Sequence, residues 1–321
     1  MSQLSAATAP PEPAEAGLSE AAKKIEGRSP WQLAFERLRR DRVAVGSAIT
    51  IVIIALIAIF APLAKRITGH GPAGQYRDTG LSPAGIPVGP NGMFWFGTDE
   101  LGRDVLVRVI YGARISLLAG VAAASIAVLV GVVIGLAAGY FGGAVDTVLS
   151  RFMDVVLSLP YLVFAIALVS VIGSSMQVSI GVIAFFSFSS VGRIVRGQVL
   201  SIKEKEYVEA ARSLGAGNMR IMFVDVLPNV LAPVIVYVTL LIPLSIVFEA
   251  ALSFLGLGVV PPTPTWGGML SDAINYYQVA WWYLVFPGAA LLVTTLAFNL
   301  LGDSVRDAFD PRYNRLFAAE E

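Results

Sequence analysis

Cysteine is absent from this chain, and histidine occurs once, as His70. Disulfides and thiolate metal sites are therefore excluded, and a His-based metal or catalytic cluster has no material to draw on. Charge is scarce too. Asp, Glu, Lys and Arg make up 14% of residues and sum to zero net charge, against about 25% charged residues in soluble domains. A neutral chain has no basic footprint for nucleic acid, so no such partner is expected. There is no G-x-x-x-x-G-K-[ST] run and hence no phosphate-cradling loop. An intramembrane enzyme would need a convergent Ser/His, an Asp pair or a metal cluster. No catalytic residue and no metal ligand is assigned, and the chain is not expected to be an enzyme.

What remains is apolar. Hydrophobic residues reach 56%, and the mean hydropathy is +0.72. The 31 glycines suit membrane helices, where they let backbones approach closely. The expected fold is an all-α membrane protein with six spans.

Residues 1–30 are rich in Ala, Pro, Glu and Ser without aromatics, so a disordered tail is expected. No apolar core follows the start, so no secretory signal is expected. In 31–42, Trp31, Ala34, Phe35 and Leu38 recur at helical spacing beside four arginines. This predicts an interfacial helix, or a solvated charge run before a span. Val43–Ala64 is uncharged and long enough for the first span. Lys65–Arg114 reads as a loop ending in an amphipathic surface helix, with Thr98 or Asp99 as its N-cap.

Ile115–Gly139 is the second span, and Gly131, Gly135 and Gly139 form a close-packing ladder on it. Val155–Gly192 carries no charge and divides at Gly173-Ser174-Ser175 into spans three and four, with Pro160 kinking the third near its start. The fifth span runs from near Pro228 to about Leu255, with Pro233 and Pro243 as kinks. The sixth runs from about Trp281 to Leu301, and its entry carries an aromatic belt. The transmembrane domain is thus placed at 43–304 and a polar tail at 305–321. Seventeen Lys and Arg fall on the side of the termini and six on the other. That asymmetry predicts cytoplasmic termini for a multi-pass protein of the inner (plasma) membrane. Arg193 and Arg196 read as anchors at the inner interface.

Between spans four and five lies one charged, helix-forming stretch, KEKEYVEAARSLGAGNMRIMFVDVLPN, over Lys203–Asn229. Glu209-Ala210-Ala211, Gly215 and Leu227-Pro228 are spaced as EAA-x3-G-x11-LP. Small alanines let a helix sit flat in a partner's groove. Glu209 offers a carboxylate to a basic residue, and Gly215 permits a sharp turn into a second short helix.

This spacing resembles the EAA loop of ABC importer permeases. FGTDELGRDVLVRVIYGARISL, ALSFLGLGVVPPTPTWGGML and NLLGDSVRDAFDPR resemble the C-type permease subunit of dipeptide, oligopeptide and nickel importers. One departure is Asp225-Val226, where that family usually has His before Ile or Val. The resemblance implies a type I importer permease that couples through 203–228 to separate ATPases. Its implied partners are a homologous permease, two ATPase subunits, an extracytoplasmic binding protein and membrane lipid. It implies no cofactor in this chain, since ATP and Mg would be held by the ATPases. Peptides are the implied substrate, with nickel chelates or oligosaccharides as alternatives. Glu249 is an acid within an apolar run, expected to line the path, to meet the partner permease, or to pack near the outer interface. The competing class is an ion-coupled secondary transporter, but the spans offer one clear acid and no strong repeat.

Overall fold

The computed structural model describes residues 30–309, and among them the regular structure is helical. The expected tail at 1–30 falls almost wholly outside the described residues. Helix α1 (Pro30–Arg40) ends where Asp41 caps α2 (Arg42–Ile59), accepting from Val43 N at 2.8 Å. Helices α3 (Ala61–Thr68) and α4 (Arg77–Gly80) follow, then α5 (Val105–Phe141), α6 (Gly143–Ser158), α7 (Tyr161–Ile172) and α8 (Met176–Ile202). The chain continues through α9 (Glu206–Ser213), α10 (Asn218–Phe254), α11 (Trp266–Ala273) and α12 (Trp281–Phe309). Helices α2, α5, α8, α10 and α12 are long and apolar enough to cross a bilayer. The pair α6 and α7, bent by 90°, makes a sixth span if counted as one.

The core is built on the glycine ladder. A Cβ on Gly131 would sit 2.5 Å from Val191 Cβ, and one on Gly139 would sit 2.7 Å from Val199 Cβ. One on Gly135 would run into the carbonyl oxygen of Gly192. Lipid supplies no hydrophobic drive between helices, so association rests on contacts of this kind. Ala124, Ala127, Val191, Val195 and Val199 fill in around them and continue into Val208, Ile221, Val226 and Val230. The ladder and the polar loop therefore share one cluster.

Several sequence expectations change. No separate surface helix precedes the second span. Asp99 instead accepts from the N–H groups of Leu101 and Arg103, and Gly102 turns with φ +73°. A short acceptor next to glycine offers the backbone an alternative to helix. The cap is Asp104, which accepts from Val107 N at 3.2 Å, and α5 then runs 37 residues unbroken. The expected loop at Lys65–Arg114 also holds the second half of α3 and all of α4, and Trp266 opens α11 between the fifth and sixth expected spans. The break at Pro160 divides two helices, since α6 already starts at Gly143. Leu159 is extended (ψ 130°), as a residue before proline tends to be. At the other end α12 passes Leu301 and Gly302 and reaches Phe309. The expected boundary at 304–305 falls inside a helix.

Overpacking the ladder should be costly. Gly135→Val is expected to lose about 1–3 kcal/mol, whereas Gly181→Val, with no heavy atom near its Cβ position, serves as the control. Thermal unfolding in detergent, followed by loss of monodisperse protein, measures both. Equal melting of the two variants would remove the ladder from the core.

Candidate coupling loop and its anchorage

Helix α8 ends at Ile202, and Lys203 Nζ donates to Gly139 O at 3.1 Å, tying the loop to the last ladder glycine. Tyr140 adds a second tie through its hydroxyl to Asn218 Oδ1 at 3.1 Å. Within α9, Val208 is fully buried against Ile221 and Val226, and Ala211 is half-buried on the same side. Glu209, Ala210 and Arg212 face outward. The EAA triplet is therefore split: two residues are offered to the exterior, and the third packs the helix down.

The glycine four residues after Ala211 follows from helix-end geometry. Ala216 N donates to Ala211 O and Gly215 N to Arg212 O, each at 3.0 Å, with Gly215 at φ +84°. This is the paired closure of a Schellman end, which demands a left-handed residue at that position. Ala211 and Ala216 both pack against the core cluster, supplying the apolar contact that accompanies the motif. Leu214 stands almost fully clear at 89% exposure, and Met219, Phe223 and Val224 are also exposed. The loop thus presents apolar and charged groups together.

The expected second short helix is instead the first turns of α10, continuous with the span. Residues Ile221–Val226 form a π-helical turn, in which Leu227 N donates to Met222 O. Pro228 explains it. Proline has no N–H to donate and its ring crowds the preceding carbonyls, so the register widens ahead of it. Asn229 Nδ2 caps the carbonyl of Asp225 at 2.7 Å. Leu227 is half-buried and Pro228 exposed. The Leu-Pro end of the spacing thus marks where the loop joins a rod 37 residues long.

The opposite end carries a buried ionic network. Asp99 is inaccessible and receives Arg103 Nε at 2.5 Å, with Arg108 Nε 3.2 Å away. Burial pushes the Asp99 carboxyl up, with Glu100 adding to it, and the two arginines pull the other way. Arg103 also meets Glu100 Oε1 at 2.7 Å, and Arg108 donates to Pro72 O at 3.1 Å. Trp282 Nε1 donates to Thr98 O at 3.1 Å. The loop before α5 is thereby fastened to α5 and α12. The sequence showed these residues as a resembling stretch but gave no sign of their pairing.

Glu249 is buried within α10. It is wholly enclosed by its own chain, taking Ser253 Oγ at 2.6 Å, with Oε2 unpartnered. The reason is close packing: a Cβ on Gly267 would strike the Ala250 carbonyl, and one on Gly120 would strike Ile246. Arg193 and Arg196 point across to α6. Arg193 meets Asp154 at 2.7 Å, and Arg196 pairs with Asp146.

Residues 131–315 match the family described as binding-protein-dependent transport system inner membrane component. Residues 29–78 match the N-terminal transmembrane domain of oligopeptide transport permease C. The dipeptide transport system permease protein of Alkalihalophilus pseudofirmus is 42% identical over 284 residues, covering 88% of this chain and 90% of that one. The oligopeptide transport system permease protein of Escherichia coli K12 is 44% identical over 289 residues, covering 90% and 93%. A solved structure of the MetNI methionine ABC transporter superposes with a TM-score of 0.52 at 18% identity, over 64% of this chain and 96% of that one. That last likeness supports the fold alone.

Because Glu249 has no ion-pair partner among the described residues, its shape should matter more than its charge. Glu249→Gln is expected to keep folding and uptake within about threefold, while Glu249→Ala should cost about 1–3 kcal/mol by leaving a cavity and an orphaned Ser253. Uptake in cells and melting in detergent check this. Loss of uptake in a well-folded Gln variant would restore a role for the charge.

Proposed function

Since the chain belongs to the binding-protein-dependent transport system inner membrane component family, we propose that it is the permease subunit of an ATP-driven importer of di- or oligopeptides. The dipeptide and oligopeptide permeases, more than 40% identical along nearly their whole length, support that substrate class. The single observation that carries the mechanism is the exposed α9–Gly215 turn, continuous through α10 with a span.

On this reading a homologous permease completes the path, an extracytoplasmic binding protein delivers substrate, and two ATPase subunits hold ATP and Mg. The termini and the α9 loop lie in the cytoplasm, in accord with the basic bias of those segments. Glu209 and Ala210 meet the ATPase, with Leu214 as an apolar contact beside them. Ala211 and Gly215 shape the turn, and Leu227 and Pro228 transmit its displacement into α10. When the ATPases close, the loop moves with them and the rod turns, which reorients the path. Asp225 sits on the π turn between socket and rod.

Glu209→Ala and Gly215→Leu are expected to insert normally but to lower ATPase co-purification and peptide uptake by at least tenfold. The left-handed requirement at Gly215 contributes a strain of about 1–2 kcal/mol. Persistence of both association and uptake in these variants would contradict the docking role. Uphill peptide movement by the two permeases in liposomes lacking any ATPase would overturn the importer reading itself.

A further inference from the structure

We propose that the groove between α2, α5 and α12 is a phospholipid site, with an acyl chain in the groove and an anionic head group on Lys65 and Arg66. The groove is a cavity of about 440 Å³ lined by Ile54, Val109, Phe286, Ala289 and Val293. Across the shared wall residues Ile57, Leu106 and Ile110 it adjoins a second, open cavity of about 230 Å³ lined also by Leu63, Ile67 and Trp95. The first alone is the size of ordinary ligand pockets.

Chemistry limits the occupant to hydrocarbon. The polar side chains in the first cavity are already used: Thr294 donates to Ala290 O at 2.7 Å and Trp266 Nε1 to Val109 O at 3.0 Å. A peptide would find nothing to bond there. The helices on either side, α2 and α12, are also the least enclosed of the spans, each with 17% of its apolar window buried, against 61% for α8. Such helices present their surface to lipid.

Charge then selects the head group. Helix α3 lines the second cavity with Leu63, Ala64 and Ile67, and carries exposed Lys65 and Arg66 on the same two turns. Neither has an ion-pair partner among the described residues. An amphipathic helix with free cations beside an apolar groove suits an anionic lipid at the interface. Trp95, half-exposed at the end of the groove, is the residue type favoured at that depth.

The inference rests on the spans and not on the coupling loop, so it stands or falls separately from ATPase docking. The whole transporter, purified with its partner subunits, is mixed with equal phosphatidylglycerol and phosphatidylethanolamine and weighed by native mass spectrometry. Phosphatidylglycerol is expected to be retained preferentially. Ala289→Phe, which fills the groove, should abolish that retention. Lys65→Gln with Arg66→Gln, both on the exposed surface, should weaken it roughly fivefold per charge. Equal retention of the two lipids, or retention unchanged in either variant, overturns the proposal. A photo-crosslinker at Ile57 supplies the second arm. Capture of lipid supports the site, and capture of the partner permease shows that protein covers the groove and refutes it.

Discussion

Two helix backbones approach to contact along α5 and α8, and the rest of the chain is arranged around that contact. Within a bilayer the solvent is as apolar as leucine, so helices gain by approaching closely enough for dispersion and weak C–H···O contacts to accumulate. Gly131, Gly135 and Gly139 remove the side chains that would prevent this, and Gly192 does the same on the facing helix, where Met153 of α6 occupies the space a Cβ would take. Three helices thus meet at glycines. Because the cluster beside the ladder continues into Val208, Ile221 and Val226, the position of the polar loop is set by the same packing that sets the membrane core.

The loop is tethered where it joins the spans, through Lys203 and Tyr140, and open where it faces out. One helical device appears twice. Gly215 closes α9, and Gly256 closes α10 in the same way, with Leu257 N donating to Leu252 O at 2.9 Å and Gly256 N to Ser253 O at 3.1 Å. Both turns need a left-handed residue, and both glycines have it. Between these two closures runs α10. A displacement at its first turn enters a helix that continues to Phe254, interrupted by the π turn before Pro228 and carrying Pro233 and Pro243 in its interior. π turns interrupt an α-helix without ending it, so this one can adjust the rotation of the rod while leaving it whole.

Much of this was legible in the residues. Apolar runs without charge located the spans, since about 20 residues of that kind have no other stable place. The glycine spacing located the tight interface, and the EAA-x3-G interval is a helix end written in sequence. What was not legible depends on long-range partners. The position of Arg108 on α5 gives no hint that Asp99, nine residues earlier, folds back onto it. The surface helix expected around Thr98–Arg114 failed for the same reason: apolar periodicity continues smoothly into a span, and only the bonds of Asp99 and Asp104 to backbone N–H groups decide where the helix starts. Glu249 is a further case: the sequence left it as a path, partner or packing acid, and closeness between α10 and α11 encloses it within the chain.

The two ends of the molecule treat charge differently, and the difference has a physical reading. At the Asp99 end, Arg103 and Arg108 are buried and committed to partners within the chain. A buried ion pair adds little net stability over an apolar packing, but it is geometrically exacting, because losing one partner strands the other. Such a network fixes the loop before α5 in one position. On α9 and the start of α10, Glu206, Glu209, Arg212 and Arg220 are exposed and have no ion-pair partner among the described residues. Exposed charges contribute almost nothing to a protein's own stability, so folding does not dictate their identity. Their pattern is free to be set by a surface that meets them, as the apolar Leu214 and Met219 beside them also suggest. One end uses charge to hold the chain to itself, and the other leaves charge available to something else.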